Sequence, residues 1–128
     1  MLVVELPWPP RELSPNAHVH WTRSAEAKQT AKAQGCCLTM EIFNSPYGYP
    51  CSWAKKGTGN MIFQASHTFH PPDKRKRDID NFLASMKHYQ DGVCAALGID
   101  DSRIKRTVIE WGAVVKGGKV VLRLEEMK

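Results

Sequence analysis

At 128 residues the chain has room for one core, because a compact domain takes roughly 100 to 200 residues. Hydrophobic residues make up 42% and charged residues 24%, which excludes a disordered chain, and no apolar run approaches the roughly 18 residues that a membrane-spanning helix needs. Eighteen Lys and Arg against 13 Asp and Glu leave a net charge of +5, a balance that favours polyanionic partners.

Met1-Leu2-Val3-Val4-Glu5 carries no basic stretch ahead of its apolar one, so no signal peptide is expected. Leu2 to Leu6 reads as a short β-strand, stopped by Pro7, Pro9 and Pro10, which cannot donate to a ladder. After a loop to about Trp21, good helix formers run from Thr22 or Ser24 to Phe43 and outweigh Gly35. Residues 44 to 60 hold three glycines and two prolines, a turn-rich segment with no legible element. From Met61 to Phe69, Met61, Phe63, Ala65 and Phe69 share one parity, as a half-buried strand requires.

Pro71-Pro72 ends that strand. A second helix is predicted from about Asp80 to Leu97, with Ile79, Phe82, Leu83, Met86, Val93, Cys94 and Leu97 on one apolar stripe and Gly98 as the stop. A strand from Ile104 to Val115 and another from Val120 to Glu126 flank Gly117-Gly118, the signal for a two-residue hairpin. The order β-α-β-α-β-β predicts a single α+β domain over residues 1–128, with helices against a four-stranded mixed sheet.

Cys36, Cys37, Cys51 and Cys94 lack CxxC spacing, so a reducing cytoplasm is expected rather than a disulfide framework. His67 and His70 have zinc-compatible spacing, but the paired ligands of a structural zinc module are missing and a strand would point the two to opposite faces.

The functional signal lies elsewhere. All six aspartates fall between positions 73 and 101, and Lys74-Arg75-Lys76-Arg77 leads directly into Asp78-Ile79-Asp80. A phosphate-attracting stretch thus adjoins a cation-attracting one. Asp78 and Asp80 flank a helix start, where the chain bends and two carboxylates can converge on Mg²⁺, an ion satisfied by one or two of them plus waters and phosphate. Helix capping is the competing reading. On the helix, Asp80, Ala84, Lys87 and Asp91 form one stripe, in which Lys87 and Asp91 also fit a surface ion pair. Asp100-Asp101 fits either a polar turn or further ligands, the latter only if the chain folds back after Gly98. Lys74 to Arg77 fits a solvated run or a phosphate patch. No phosphate loop or dinucleotide fingerprint is present, so no nucleotide cofactor is expected.

These residues resemble the RusA-type Holliday-junction resolvases. The likeness rests on Leu6-Pro7-Trp8-Pro9-Pro10, the basic run into Arg77-Asp78-Ile79-Asp80-Asn81, the helix with Lys87 and Asp91, Gly98-Ile99-Asp100-Asp101, and Lys116-Gly117-Gly118-Lys119. The resemblance implies a crossover-junction endodeoxyribonuclease of bacterial or phage origin. It would be a homodimer that binds four-way junction DNA and makes paired, Mg²⁺-dependent cuts, with Mn²⁺ as a substitute. Carried over by motif, the metal-binding acids are Asp78, Asp80 and Asp101, with Asp100 and Asp91 in support and Lys74 to Arg77 on the DNA. The family's helix lysine falls four residues after the second motif aspartate, where this chain has Ala84; the nearest lysine, Lys87, is the candidate for its role. Two other classes fit the same residues: a non-catalytic branched-DNA binding protein, and a metal nuclease acting on flaps or single strands.

Overall fold

The computed structural model describes residues 1–43 and 61–127, so the turn-rich 44–60 segment lies outside the described residues. Four strands, β1 (Leu2–Pro7), β2 (Ile62–His70), β3 (Ile104–Trp111) and β4 (Lys119–Met127), form one sheet in the order β1-β4-β2-β3. β4 runs antiparallel to both β1 and β2, while β2 and β3 are parallel. Helices α1 (Trp21–Phe43), α2 (Ile79–Ser85) and α3 (Lys87–Leu97) complete the α+β domain. No helix among the described residues is long and apolar enough to cross a membrane.

The core lies between the sheet and the long helices. Alternation places Leu2, Val4 and Leu6 of β1, Phe63, Ala65 and Phe69 of β2, and Val120, Leu122 and Leu124 of β4 in one cluster with Ala31, Tyr89 and Val93. Helix α1 crosses α3 closely because each offers a glycine where the backbones meet. A Cβ at Gly35 would strike the carbonyl of Tyr89, and one at Gly92 would strike the carbonyl of Lys32 and lie 2.8 Å from the amide nitrogen of Cys36. Gly35, which merely weakens α1 on propensity, is therefore required by the packing.

The predicted second helix is two helices. The break falls at Met86 (φ −86°, ψ −6°), whose amide donates to Leu83 O at 3.1 Å, and one residue earlier the Ser85 hydroxyl donates to Asn81 O at 2.9 Å. Such back-bonding by serine competes with the helical ladder and bends it. Helix α3 ends as expected: Gly98 takes φ +72°, its amide reaches Ala95 O, and Ile99 N reaches Cys94 O at 3.0 Å, a Schellman closure.

The Gly117-Gly118 hairpin is not formed. Both glycines have positive φ, 81° and 72°, and Gly118 N bonds Val115 O at 2.8 Å, but the turn links strands on opposite sides of β2. β3 stops at Trp111, and the chain then crosses the end of β2 through Gly112 N to Phe69 O at 2.8 Å and Val115 N to Pro71 O at 3.0 Å. Side chains explain the exchange. β4 has four buried apolar residues and takes an interior position, whereas β3 exposes Lys105, Arg106, Thr107 and Glu110 and suits an edge, where charge discourages further pairing.

His67 and His70 lie on opposite faces of β2, as strand parity requires. His70 Nδ1 is 2.9 Å from Ala113 O, while His67 is 1% exposed and stacks on Phe69 with ring centroids 6.1 Å apart. Its Nε2 lies 3.1 Å from Gln90 Oε1 and so donates the proton, which leaves Nδ1 a bare acceptor with no partner among the described residues. Burial lowers the His67 pKa, the Gln90 bond opposing it. The folded chain therefore resists a proton that the unfolded chain accepts below about pH 6.5. Stability is expected to be full above that pH and to fall as acid carries the solution toward the depressed folded pKa. Urea midpoints between pH 7.5 and 5.5 should drop in the native protein and drop much less in His67→Leu; equal slopes would remove His67 as the cause.

Candidate nucleic-acid interface

Between β2 and α2 the chain from Pro71 to Asp78 builds a basic ridge, and Asp73 organises it. The Asp73 carboxylate accepts from the Arg75 amide at 3.0 Å, from Arg75 Nε at 3.2 Å and from Arg77 Nη2 at 2.7 Å. Those donors hold its carboxyl well below the usual carboxylate range, the Arg75 amide contributing most. Arg77 also donates through Nη1 to Asp73 O at 3.1 Å and Arg75 O at 3.0 Å, and its guanidinium lies 5.6 Å from the Trp8 ring centre. With its side chain only 10% exposed, Arg77 is a structural strut of the ridge rather than a free phosphate ligand. Lys74, Arg75 and Lys76 face solvent and carry the exposed charge.

Two hollows flank the ridge. One, of about 590 Å³, is lined by Pro71, Asp73, the Lys74–Arg77 run, Asp78, Trp111 and Val114. The other, of about 460 Å³, lies over Trp8, Pro9, Pro10, Asn81 and Phe82 and shares Arg75 and Arg77 with the first. A ladder of rings joins their floors: Trp8 is 4.8 Å from Phe82, which is 6.0 Å from Trp111, and Phe69 touches all three at 5.7 to 6.3 Å. Trp8, Pro9 and Pro10 of the opening Leu6-Pro7-Trp8-Pro9-Pro10 form one wall of a hollow, while Leu6 belongs to the core and Pro7 ends β1.

Asp78 occupies the N-cap position of α2 with extended backbone, yet its side chain makes no capping hydrogen bond. Its exposed carboxylate lines the larger hollow, and Asp80 is exposed in the first turn of α2. Both carboxylates are thus open to a ligand. Asp100 behaves differently: it accepts from Ser102 N at 2.9 Å at the start of a short 3₁₀ turn (Asp101–Arg103), and that bond lowers its pKa. The polar-turn reading holds for Asp100.

Lys87, Asp91 and Asp101 come together. Lys87 Nζ stands 3.9 Å from Asp91 Oδ2 and 3.9 Å from Asp101 Oδ2, and His88 Nδ1 stands 4.0 Å from Asp91 Oδ2. Lys87 is 62% exposed, so these long pairs add little stability and leave the ammonium accessible. The chain folds back after Gly98, but the return positions the end of β3, Trp111, beside Asp78 and leaves Asp101 at the other end of that strand, against α3. Among the described residues no three His, Cys, Asp or Glu side chains gather closely enough to hold a metal ion, so Asp78, Asp80 and Asp101 do not form a three-carboxylate cage. Mg²⁺ does not require one. It keeps several waters and takes one or two carboxylates plus substrate phosphate, a demand that the open Asp78 and Asp80 fit.

Asp73, Trp8, Phe82 and Trp111 were not legible as site residues. The alternation Asp73-x-Arg75-x-Arg77 was visible, but only the bend of the loop turns it into a clasp.

No family model matches the chain. An uncharacterized protein of Xylella fastidiosa (strain Temecula1) is 36% identical over 124 residues, which cover 97% of this chain and 76% of that protein. The venom peptide isomerase heavy chain of Agelenopsis aperta is 31% identical over 81 residues, 57% of this chain but 33% of that protein, a local likeness. By its extent and coverage the first similarity establishes descent, and the chain belongs to the family of that Xylella fastidiosa protein.

Proposed function

We infer that the protein is a Mg²⁺-dependent, structure-selective endodeoxyribonuclease that resolves four-way DNA junctions by paired phosphodiester hydrolysis. The observation that carries this reading is the pair of open carboxylates, Asp78 and Asp80, adjoining a ridge that Asp73 braces and whose Lys74, Arg75 and Lys76 face outward. Clustered acids on a DNA-binding surface repel phosphate unless a cation intervenes, so their presence there favours metal-assisted chemistry over binding alone. The resemblance to RusA-type resolvases supports the same reaction, with a cytoplasmic setting and a homodimer whose two sites match the two-fold symmetry of a junction.

Asp78 and Asp80 would hold Mg²⁺, which supplies an activated water and charge stabilisation at the scissile phosphate. The remaining steps belong to the chain. Lys74, Arg75 and Lys76 neutralise the flanking phosphates and set the register of the strand. Asp73 and Arg77 hold that loop in one shape, so ordering it costs little on binding. Lys87, accessible beside Asp91 and Asp101, would add a positive charge for a DNA phosphate beyond the ridge. Asp100 shapes the turn that presents Asp101.

A second reading, a branched-DNA binding protein without catalysis, draws support from Asp100 as a cap and from Asp91 as an ion-pair partner. Incubation with a mobile four-way junction, with and without Mg²⁺ or Mn²⁺, followed by a denaturing gel, separates the two. Symmetric nicks near the crossover, present only with metal, are expected. Junction binding without nicks at every metal concentration would establish the second reading, and equal cutting of flaps or single strands would replace junction specificity with another.

A further inference from the structure

We propose that Trp111 is a stacking platform for an unpaired nucleobase of the DNA substrate, seated in the hollow between the basic ridge and the end of β3. The inference deepens the reading above and rests on it for the identity of the nucleic acid.

Trp111 ends an edge strand and is 41% exposed, as is its neighbour in the hollow, Val114, at 45%. Trp111 stands in the wall of a charged hollow rather than alone on open surface. Phe69 and Phe82 hold it from within, at 5.7 Å and 56° and at 6.0 Å and 70° between ring planes. Both contacts are tilted or edge-on, and neither is a parallel stack. These two rings brace the indole from the core side.

The surrounding chemistry selects the ligand. The hollow of about 590 Å³ combines this ring with the Lys74–Arg77 run, a flat π surface within reach of several positive charges. That pairing of aromatic platform and electropositive groove is how proteins bind single-stranded nucleic acid without reading its sequence, since every base has a π face and every link a phosphate. Bases inside a duplex are already stacked and cannot present a face, whereas those at a strand exchange point can. The ligand is therefore an unstacked nucleotide, its base on Trp111 and its phosphates toward Lys74 and Lys76. Asp78 lines the same hollow, so a base docked on Trp111 brings the neighbouring phosphodiester to the carboxylate assigned to metal binding. Base capture would then position the cut.

The test uses the full-length protein in EDTA, so that no cleavage intervenes. An oligothymidylate and a blunt duplex of equal length are titrated by fluorescence anisotropy, and an oligothymidylate carrying one 2-aminopurine reports stacking by quenching. Trp111→Leu is expected to weaken single-strand binding between about 5-fold and 150-fold, the range of one stacked base, and to abolish the quench. Duplex binding should change less than about 2-fold, because phosphate contacts are intact. Trp111→Phe should restore most of the affinity and the quench, which separates stacking from a folding defect. Single-strand affinity and quenching unchanged in Trp111→Leu would overturn the proposal, as would equal losses on single strand and duplex that Trp111→Phe fails to restore. The outcomes also separate this inference from the reaction: Trp111-dependent quenching with no junction cutting in Mg²⁺ sinks hydrolysis alone, and junction cutting with no such quenching sinks the platform alone.

Discussion

Asp80→Asn is expected to cut the rate of Mg²⁺-dependent junction cleavage by about a thousandfold while leaving junction binding intact or slightly tighter. The rate should fall because an amide is a poor ligand for a hard cation, and removing one charge-stabilising group at a reacting phosphate typically costs about a hundred- to a thousandfold. Binding should survive because Asp80 is exposed, makes no hydrogen bond or ion pair through its side chain among the described residues, and opposes rather than attracts the DNA backbone. Its place in the first turn of α2 gives it a modest favourable interaction with the helix dipole, which asparagine weakens only slightly. Single-turnover rates and anisotropy titrations of one preparation read both quantities. Unchanged cutting would remove Asp80 from the chemistry. Asp100→Asn offers the contrast: asparagine keeps an oxygen that accepts from Ser102 N, so the turn should hold and the rate fall far less.

Gly92→Ala is expected to destabilise the fold by about 3 kcal/mol, at the upper end of what an added core methyl costs. The methyl would meet backbone, the carbonyl of Lys32 and the amide of Cys36, neither of which can swing aside as a side chain would. Relief requires α1 and α3 to separate, which opens the layer that holds Tyr89, Ala31 and Val93. For a domain of this size the loss corresponds to a melting temperature lower by roughly 10 °C. Gly98→Ala is the control, since nothing lies within 4 Å of a Cβ there and only its left-handed φ of +72° is strained, at about 1 kcal/mol. Calorimetry of both variants reads the difference, and a Gly92→Ala protein as stable as Gly98→Ala would show that the helices have slack at their crossing.

The Asp78-Ile79-Asp80 motif is read directly from adjacent residues, whereas the importance of Gly92 is invisible until α1 is laid across α3. The same division runs through the site. Asp78 could be assigned to capping or to a ligand from sequence, and the missing capping bond favours the open carboxylate. Arg77 counted equally with Lys74 in the basic run, but the bend of the loop ties it to Asp73 and Trp8.

Local pattern sufficed wherever the physics was local. Alternation along β2 and β4, the helical stripe of α3 and the glycine stop at position 98 follow from which side chains shun water and which backbones tolerate a left-handed turn. Strand order did not follow, because Gly117-Gly118 supports a turn of the right curvature whichever strand the chain joins next. Competition for the interior, won by β4 over the charged β3, decided it. The placing of Trp111 beside Asp78, and of Asp101 beside Lys87 instead, is likewise tertiary: residues far apart in sequence meet only where the parallel crossover from β2 to β3 sets them down.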